Sequence, residues 1–273
     1  MFGSSRQKTW KCRSLDTLTR VSARQELIPE WDQEVYASAT IMMVGAGGLG
    51  GEVAEGLTRK GIGELHICDP DIVTPSNLNR QKFLRQSLYK PKASELCRVL
   101  SRQGFMGTVL HTHDCAVQEV DIEAIHPDVV VVGVDNRMPN TREYVSRVCF
   151  TMGIPVVIMA VSTDADIAYV FVQEPGKADW VCQFKPEFST GAAAERATRC
   201  PNVPAVCDIL KAITGHALYA VDSLILNRPR EWNYRVISLS TDFGGSHYVA
   251  RRHGCPLCGA PSDAYEADSE VRQ

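Results

Sequence analysis

Between residues 39 and 161 the chain alternates short apolar runs with amphipathic segments. The runs ATIMMVGAG, ELHICD, TVLHTHD, DVVVVGVD and IPVVIMAV are typical of strands, and GEVAEGLTRKG, KPKASELCRVLSRQG and NTREYVSRVCFTMG between them have helical character. Because the strand runs are largely apolar on both faces, helices should cover both sides of a mainly parallel sheet. We therefore predict an α/β doubly wound fold over residues 39–161.

The remaining segments have a different character. Residues 1–19 are polar and aperiodic and are expected to form a flexible N-terminal segment. The run IAYVFVQEP predicts a strand, residues 176–202 an irregular loop, and residues 203–226 a helix. Two further strand-like runs, NYRVISLS and SHYVARR, should be antiparallel and lead into the cysteine knuckle HGCPLCGAP, within residues 203–261. We expect one domain over 20–261 and a disordered tail over 262–273.

Composition narrows the class of protein. The chain has 29 Lys and Arg against 32 Asp and Glu, a net charge of −3, so no overall basic field indicates a nucleic-acid or membrane partner. It has neither an apolar run of roughly 18 residues nor the apolar centre of a secretion signal, which predicts a cytoplasmic protein. Its ten cysteines are then expected to be reduced thiols, metal ligands or catalytic groups.

A glycine-rich turn is the first candidate binding site. Gly45, Gly47, Gly48 and Gly50 follow a predicted strand and open a helix, where glycine permits a tight turn and the helix N-terminus favours phosphate. Asp69 ends the next strand, where its carboxylate can accept hydrogen bonds from ribose hydroxyls. This arrangement suits NAD, FAD or ATP, and Asp69 as a turn carboxylate without a ligand stays an alternative.

Polar residues after the second strand favour ATP among these ligands. Asn77, Arg80 and Lys92 add an amide and two cations beside the turn, which suits a triphosphate undergoing attack at its α-phosphate. Either cation alone could equally be a solvated surface group. Asp135 ends the run VVVVGVD at the edge where ligands bind in open α/β sheets, and a carboxylate there can hold Mg²⁺.

The motifs GAGGLG, CDPD, SNLNRQ, KPKA and VDN, in this order, resemble those of the ThiF/MoeB-type adenylyltransferases. This superfamily includes the adenylation domains of ubiquitin-activating enzymes, and the resemblance runs from about Arg20 to Cys258. It implies a Rossmann-like mixed sheet, usually in a homodimer. It also implies ATP- and Mg²⁺-dependent adenylation of the C-terminal Gly-Gly carboxylate of a ubiquitin-like or sulfur-carrier protein, with release of pyrophosphate. A downstream conjugating or sulfur-transfer enzyme is a further possible partner.

The resemblance assigns roles to individual residues. It gives the glycines around Gly47 to the phosphates, Asp69 to the ribose, and Asn77, Arg80 and Lys92 to the triphosphate. It assigns Asp135 to binding of magnesium and the reacting carboxylate. It assigns Arg24 to the ATP site of the other subunit. Lys90 stands where many members have glycine, so the register of Lys92 is less secure than that of Arg80. Arg24 as a solvated surface cation remains an alternative.

Two groups of cysteines carry further chemistry. Cys255 and Cys258 form a knuckle that directs two thiolates at one tetrahedral metal, which suits Zn²⁺. Where the resembling family has a second C-x-x-C, this chain has Asp179 and Cys182, which could complete the site. Two alternatives stay open: a knuckle held by packing alone, and another ligand set that includes His253 or Cys207.

Cys200 lies in the irregular segment between two nearby arginines, in a region where the resembling family often has a reactive cysteine. Positive charge favours the thiolate, so Cys200 could accept an activated acyl group as a thioester or an acyl disulfide. The alternative is a loop thiol with no role. Cys207, inside the helical pattern, is expected to be buried.

Three other functions are compatible with parts of the pattern. The adenylated group could be another carboxylate or a modified tRNA base, the protein could be an NAD- or FAD-dependent oxidoreductase, or it could be a non-catalytic regulatory partner. The retention of every ATP-site residue type argues against the last.

Overall fold

The structure is a computed structural model, and it describes residues 8–12, 21–104, 106–134, 141–184 and 205–259. Within these ranges nine strands form one sheet in the order β1-β4-β3-β2-β5-β6-β7-β8-β9. The strands are β1 Thr9–Lys11, β2 Thr40–Val44, β3 Glu64–Cys68, β4 Val109–His113, β5 Val129–Val132, β6 Val156–Val161, β7 Ile167–Gln173, β8 Tyr234–Ser238 and β9 Gly245–His247. The central strands β4, β3, β2, β5 and β6 are parallel, and β1, β7, β8 and β9 add antiparallel edges.

Helices lie between the strands along the chain. They are α1 Gln33–Ser38, α2 Gly48–Lys60, α3 Lys92–Gln103, α4 Ile122–Ile125, α5 Thr141–Met152, α6 Trp180–Gln183 and α7 Cys207–Ile225. Short 3-10 turns occur at Gln25–Leu27, Pro75–Asn77, Arg85–Ser87 and Val117–Glu119. None of the helices in the described ranges combines the length and the apolar character that crossing a membrane requires.

The two faces of the sheet have separate hydrophobic cores. In β2, Ile41 and Met43 belong to a core that also contains residues of α2, α3 and α7, whereas Met42 and Val44 belong to a second core with residues of α5 and the cysteine knuckle. All four side chains are buried. This alternation along a strand with two buried faces explains the continuous apolar runs in the sequence.

Helix α7 packs closely on α2 because two glycines of α2 leave room for it. A β-carbon at Gly48 would lie 2.5 Å from Leu210 Cδ1, and one at Gly56 would lie 2.5 Å from Leu218 Cδ1. At the far end of α2, the Lys60 ammonium pairs with the Asp222 carboxylate at 2.7 Å. The start of α7 is therefore held beside the glycine turn that opens α2.

The predicted doubly wound core, its mainly parallel sheet and its antiparallel C-terminal strands are confirmed. The predicted helix over 203–226 is observed at Cys207–Ile225. Within residues 1–19, which the sequence predicts to be a flexible segment, Thr9–Lys11 form an edge strand that pairs with β4. A three-residue edge strand is too short to show a period in the sequence.

Candidate functional site

The glycine turn joins β2 to α2 at the carboxyl edge of the sheet. Gly45 has φ of +101°, a left-handed conformation that favours glycine, and a β-carbon there would lie 2.6 Å from Val134 Cγ1. A β-carbon on Gly50 would lie 1.8 Å from the Gly45 carbonyl oxygen, so the helix can start this close to the strand only with glycine at that position. These two glycines serve the turn and the packing, as the sequence predicts.

Gly47 has a different environment. A β-carbon at this N-cap position would meet only the Gln81 side chain, 3.8 Å away, and no side chain caps the helix. Among the described residues, Oε1 of Gln81 is buried and has no hydrogen-bond partner. An open helix N-terminus beside an unpartnered amide fits a phosphate-bearing ligand that also offers a hydrogen-bond donor.

Asp69 lies directly after β3 and is buried. The Ala46 N–H donates to its Oδ2 at 2.7 Å, and the Asp71 N–H donates to its Oδ1 at 2.8 Å. Burial raises the pKa of Asp69, and the nearby Lys92 and the two backbone N–H groups oppose this shift. The carboxylate is thus fixed against the glycine turn, and each oxygen keeps a lone pair for a hydroxyl donor.

Lys92 begins α3 and is buried, which is unusual for a lysine. Its Nζ lies 2.8 Å from Oδ2 of Asp71, and it also lies near enough to Asp69 to oppose the raised pKa of that carboxyl. The sequence reasoning missed Asp71 and Gln81, although both stand in the quoted motifs CDPD and SNLNRQ. Asp71 therefore connects the two residues, since its N–H donates to Asp69 and its carboxylate pairs with Lys92.

Asn77 and Arg80 lie on the turn that follows Thr74. Asn77 is buried, and its Oδ1 accepts from the Thr74 N–H at 2.9 Å, which leaves its amide NH₂ as the available donor. Arg80 is half-buried, and its Nη1 donates to the Ser76 carbonyl at 2.7 Å and to Asn79 Oδ1 at 2.9 Å. These two hydrogen bonds hold the Arg80 guanidinium against its own turn.

Asp135 lies outside the described residues, and the two residues before it contact the end of β2 and the glycine turn. The Gly133 N–H donates to the Val44 carbonyl at 2.9 Å, and Val134 packs against Gly45. The chain therefore leaves β5 directly beside the glycine turn, on the edge of the sheet where a ligand of that turn would lie.

Arg24 lies at the opposite end of α2. Its neighbour Gln25 donates from Nε2 to the carbonyl of Lys60, the last residue of α2, at 2.9 Å. Arg24 is exposed. Since α2 is thirteen residues long, about 20 Å separates this position from the glycine turn. Within one chain, the structure does not bring Arg24 to the other nucleotide-site candidates.

The residue that resumes the described chain before α7 lies beside the nucleotide edge. Cys200 lies outside the described residues, but Ala205, five residues later, accepts a 3.5 Å hydrogen bond from Nδ2 of Asn79. Cys207 is the first residue of α7 and is half-buried, so the expectation that it is buried is wrong. At a helix start, side chains project beyond the packed part of the helix, which an apolar pattern alone does not reveal.

A thiol cluster lies at the other side of the fold. It brings together the four predicted ligands, and one ligand atom from each lies within 4.8 Å of the others: Asp179, Cys182, Cys255 and Cys258. The Cys182 and Cys258 Sγ atoms are 3.5 Å apart, and Cys255 Sγ lies 3.2 Å from Asp179 Oδ2. Ligand separations of about 3.4–3.8 Å follow from tetrahedral Zn–S and Zn–O bonds, so the cluster fits Zn²⁺.

Local structure explains how an aspartate joins three cysteines. Asp179 is the N-cap of α6, and its Oδ1 accepts from the Cys182 N–H at 2.9 Å. The Arg252 N–H donates to Cys182 Sγ at 3.2 Å. Burial raises the pKa of the Cys182 and Cys258 thiols, and Zn²⁺ binding would release their protons. His253 and Cys207, the alternative ligands, do not belong to this cluster.

The described residues thus define a Rossmann-like protein with a candidate nucleotide site at one sheet edge and a candidate zinc site across the fold. The ThiF family model matches residues 20–226, and the chain belongs to the ThiF family.

Curated relatives include adenylating enzymes. The chain is 25% identical over 252 residues to "Adenylyltransferase and sulfurtransferase MOCS3" of Xenopus laevis. This match covers 88% of this chain and 54% of the relative. It is 29% identical over 153 residues to the sulfur carrier protein adenylyltransferase of Thermus thermophilus, covering 56% of each. It is 29% identical over 135 residues to the SUMO-activating enzyme subunit uba-2 of Caenorhabditis elegans, covering 48% of this chain and 23% of the relative. The chain spans about half the length, or less, of these relatives.

Solved structures share the fold. One is E. coli MccB in a crystal with MccA-N7isoASN, which matches with a TM-score of 0.74 at 18% identity. The match covers 90% of this chain and 76% of the MccB chain. At this identity the likeness shows the fold alone.

We expect the thiol cluster to hold zinc in the purified protein. Cys255→Ser should lower the zinc content by about one ion per chain and lower the midpoint of thermal unfolding, because a buried ligand is lost. Asp179→Asn should keep the helix cap, since asparagine caps well, but weaken zinc retention. Elemental analysis with thermal unfolding measures both effects.

Cys149→Ser is the matched control, because Cys149 is buried but lies outside the cluster. Equal zinc content in wild type and Cys255→Ser, with equal thermal stability, would show that the knuckle is held by packing alone.

Proposed function

We propose that the protein is an adenylyltransferase that uses ATP and Mg²⁺ to activate the C-terminal Gly-Gly carboxylate of a ubiquitin-like or sulfur-carrier protein. The observation that carries this proposal is the convergence of the open α2 N-terminus at Gly47, the fixed carboxylate of Asp69 and the buried cation of Lys92. An oxidoreductase would not need a buried lysine at this position. Membership of the ThiF family and the adenylyltransferases among its relatives support the same chemistry.

Each residue has a place in the reaction. In the proposed complex the glycine turn receives phosphates, Asp69 accepts from the ribose, and Lys92 and Arg80 neutralise charge on the triphosphate. A carboxylate oxygen of the carrier forms a bond to the α-phosphorus. The bond from that phosphorus to the bridging oxygen breaks, and pyrophosphate leaves with the electron pair. The product is an acyl-adenylate on the carrier.

Asp135 is proposed to hold Mg²⁺ near this reaction. The packing of Val134 on Gly45 supports the assignment, because it leads the chain to the phosphate end of the turn just before residue 135. A carboxylate at that edge suits a hard cation shared with phosphate oxygens. The Asn77 amide NH₂ is proposed to donate to the triphosphate, since its Oδ1 is already occupied.

The proposed assembly is a homodimer in which Arg24 completes the ATP site of the partner subunit. The support is geometric: Arg24 is exposed and lies at the far end of α2 from the glycine turn. An arginine with a role at the nucleotide edge must therefore serve a second copy. Cys200 is proposed to accept the acyl group in a later step, in which its thiolate bonds to the acyl carbon, the bond from that carbon to the phosphate oxygen breaks and AMP leaves. The support is that Ala205, five residues later, lies beside the nucleotide edge.

The first test is ATP–pyrophosphate exchange with a Gly-Gly-ended carrier protein. Arg80→Ala and Asp135→Ala should each lower the exchange rate on the order of 10²-fold or more, because each removes charge stabilisation of the transition state. Arg85→Ala is the matched control, since Arg85 is exposed and lies on the same connecting segment.

Full exchange in both variants would overturn the nucleotide assignment. Exchange that needs a different carboxylate, such as a peptide terminus, would keep adenylation and replace the proposed substrate class.

A second test concerns the shared site. Arg24→Ala and Asp135→Ala chains should each be nearly inactive alone, whereas their mixture should regain part of the exchange activity. The reason is that a heterodimer would contain one site with both residues intact. Heterodimers that form, as shown by two affinity tags, and yet recover no activity would contradict the shared site.

A third test concerns the thiol. Cys200→Ser should keep pyrophosphate exchange, because adenylation needs no thiol, but lose any thiol-sensitive adduct with the carrier on a non-reducing gel. Cys207→Ser is the matched variant, since Cys207 is half-buried at the start of α7. An adduct that survives in Cys200→Ser and disappears in Cys207→Ser would assign the reaction to Cys207.

A further inference from the structure

A group of histidines lies on strands β3 and β4, and neither candidate site described above uses their side chains. His66 and His111 are direct cross-strand neighbours in the parallel register, and Glu64 lies on the same face of β3 two residues before His66. One ligand atom from each of Glu64, His66 and His111 lies within 4.8 Å of the others. His113, also on that face, contacts His66.

Both imidazoles present Nε2 to the same carboxylate. His111 Nε2 lies 3.0 Å from Glu64 Oε2, and His66 Nε2 lies 3.8 Å from the same oxygen. Zn–N and Zn–O bonds of about 2.0–2.2 Å place neighbouring tetrahedral ligands about 3.4 Å apart, and the two observed distances bracket that value. The distance from His66 Nε2 is too long for a hydrogen bond, so this nitrogen does not bond to the carboxylate.

His113 fixes the ring of His66. His66 Nδ1 and His113 Nε2 form a 3.1 Å hydrogen bond. When His66 donates this bond from Nδ1, its Nε2 carries the lone pair that faces Glu64, which is the usual arrangement of a metal-binding histidine and its outer partner.

An ion could reach this group from solvent. The Glu64 side chain is 49% exposed, whereas the His66 side chain is only 9% exposed. The carboxylate is therefore open to solvent, and the inner imidazole is held in place by His113. The His66 and His111 rings are stacked with centroids 4.2 Å apart, so the His111 ring must rotate slightly for both lone pairs to meet one ion.

We propose that Glu64, His66 and His111 form a second Zn²⁺ site, with His113 as a positioning residue. Two imidazoles and one carboxylate suit a borderline divalent ion and leave a fourth position for water. Such an ion would join two strands of the sheet. The proposal is independent of the adenylation chemistry, because Glu64 and His66 precede the carboxyl edge that carries Asp69.

The test uses the full chain. Its thiol cluster is first saturated with Zn²⁺, and Co²⁺ is then added as the probe. Wild type should bind one Co²⁺ per chain, with weak d–d absorption and no thiolate-to-metal charge-transfer band. His111→Gln and Glu64→Gln should weaken Co²⁺ binding at least about tenfold, and His113→Gln should weaken it by about ten- to a hundredfold.

His126→Asn is the matched control, because His126 is exposed and asparagine tolerates its left-handed backbone with φ of +47°. This variant should bind Co²⁺ as wild type does. Absence of Co²⁺ binding by zinc-loaded wild type, a thiolate charge-transfer band, or unchanged affinity in His111→Gln and Glu64→Gln would each overturn the proposal. Histidine ¹⁵N chemical shifts on Zn²⁺ addition give an independent readout, with Nε2 of His66 and His111 expected to move.

Discussion

The nucleotide edge depends on the contact between the start of α2 and the turn that leaves β2. A β-carbon at Gly50 would lie 1.8 Å from the Gly45 carbonyl oxygen, and one at Gly133 would lie 2.9 Å from the Gly50 nitrogen. Three backbone segments therefore meet where any side chain would separate them. This close approach aims the free N–H groups of α2 across the sheet edge and brings the ends of β2 and β5 beside them.

The same contact explains the position of the charged groups. Ala46, inside the turn, donates to Asp69, so the carboxylate after β3 is tied to the turn itself. Asp71 then holds Lys92 at 2.8 Å, and Lys92 begins α3. A shift of α2 would consequently move the carboxylate and disturb the charge balance with the lysine. The polar groups form one connected unit rather than separate surface residues.

The thiol cluster is linked to this edge through Arg142. Its Nη2 donates to the carbonyl of Val134 at 2.7 Å, and its guanidinium lies 5.9 Å from the ring centroid of Trp180. Trp180 directly follows Asp179, the N-cap that joins the cluster. These contacts connect α6 and the thiol cluster to the segment that leaves β5.

Sequence reasoning succeeded where a local pattern determines the structure. The glycine turn and the alternating elements follow from short motifs, because a turn needs particular residue types at fixed spacing. The pairing of Asp179 and Cys182 with the knuckle followed from the resemblance to the family, which has a second C-x-x-C at that place. It missed features that depend on how distant segments meet. Gln81 matters only because it lies beside Gly47, and His66 meets His111 only through the register of β3 and β4.

The distribution of thiols limits where covalent chemistry could take place. Within the described ranges, Cys12, Cys68, Cys97 and Cys149 are buried, and burial raises the pKa of each thiol, which suppresses nucleophilic thiolate. Cys115 is half-buried with a raised pKa, again mainly through burial. The thiols of the cluster are committed to one another and to Asp179. In the described part of the chain, Cys207 at the start of α7 is a half-buried thiol outside the cluster. It is the alternative to Cys200 as an acyl acceptor. Because Gly48 packs on Leu210 of α7, Cys207 belongs to a helix that is anchored at the nucleotide edge.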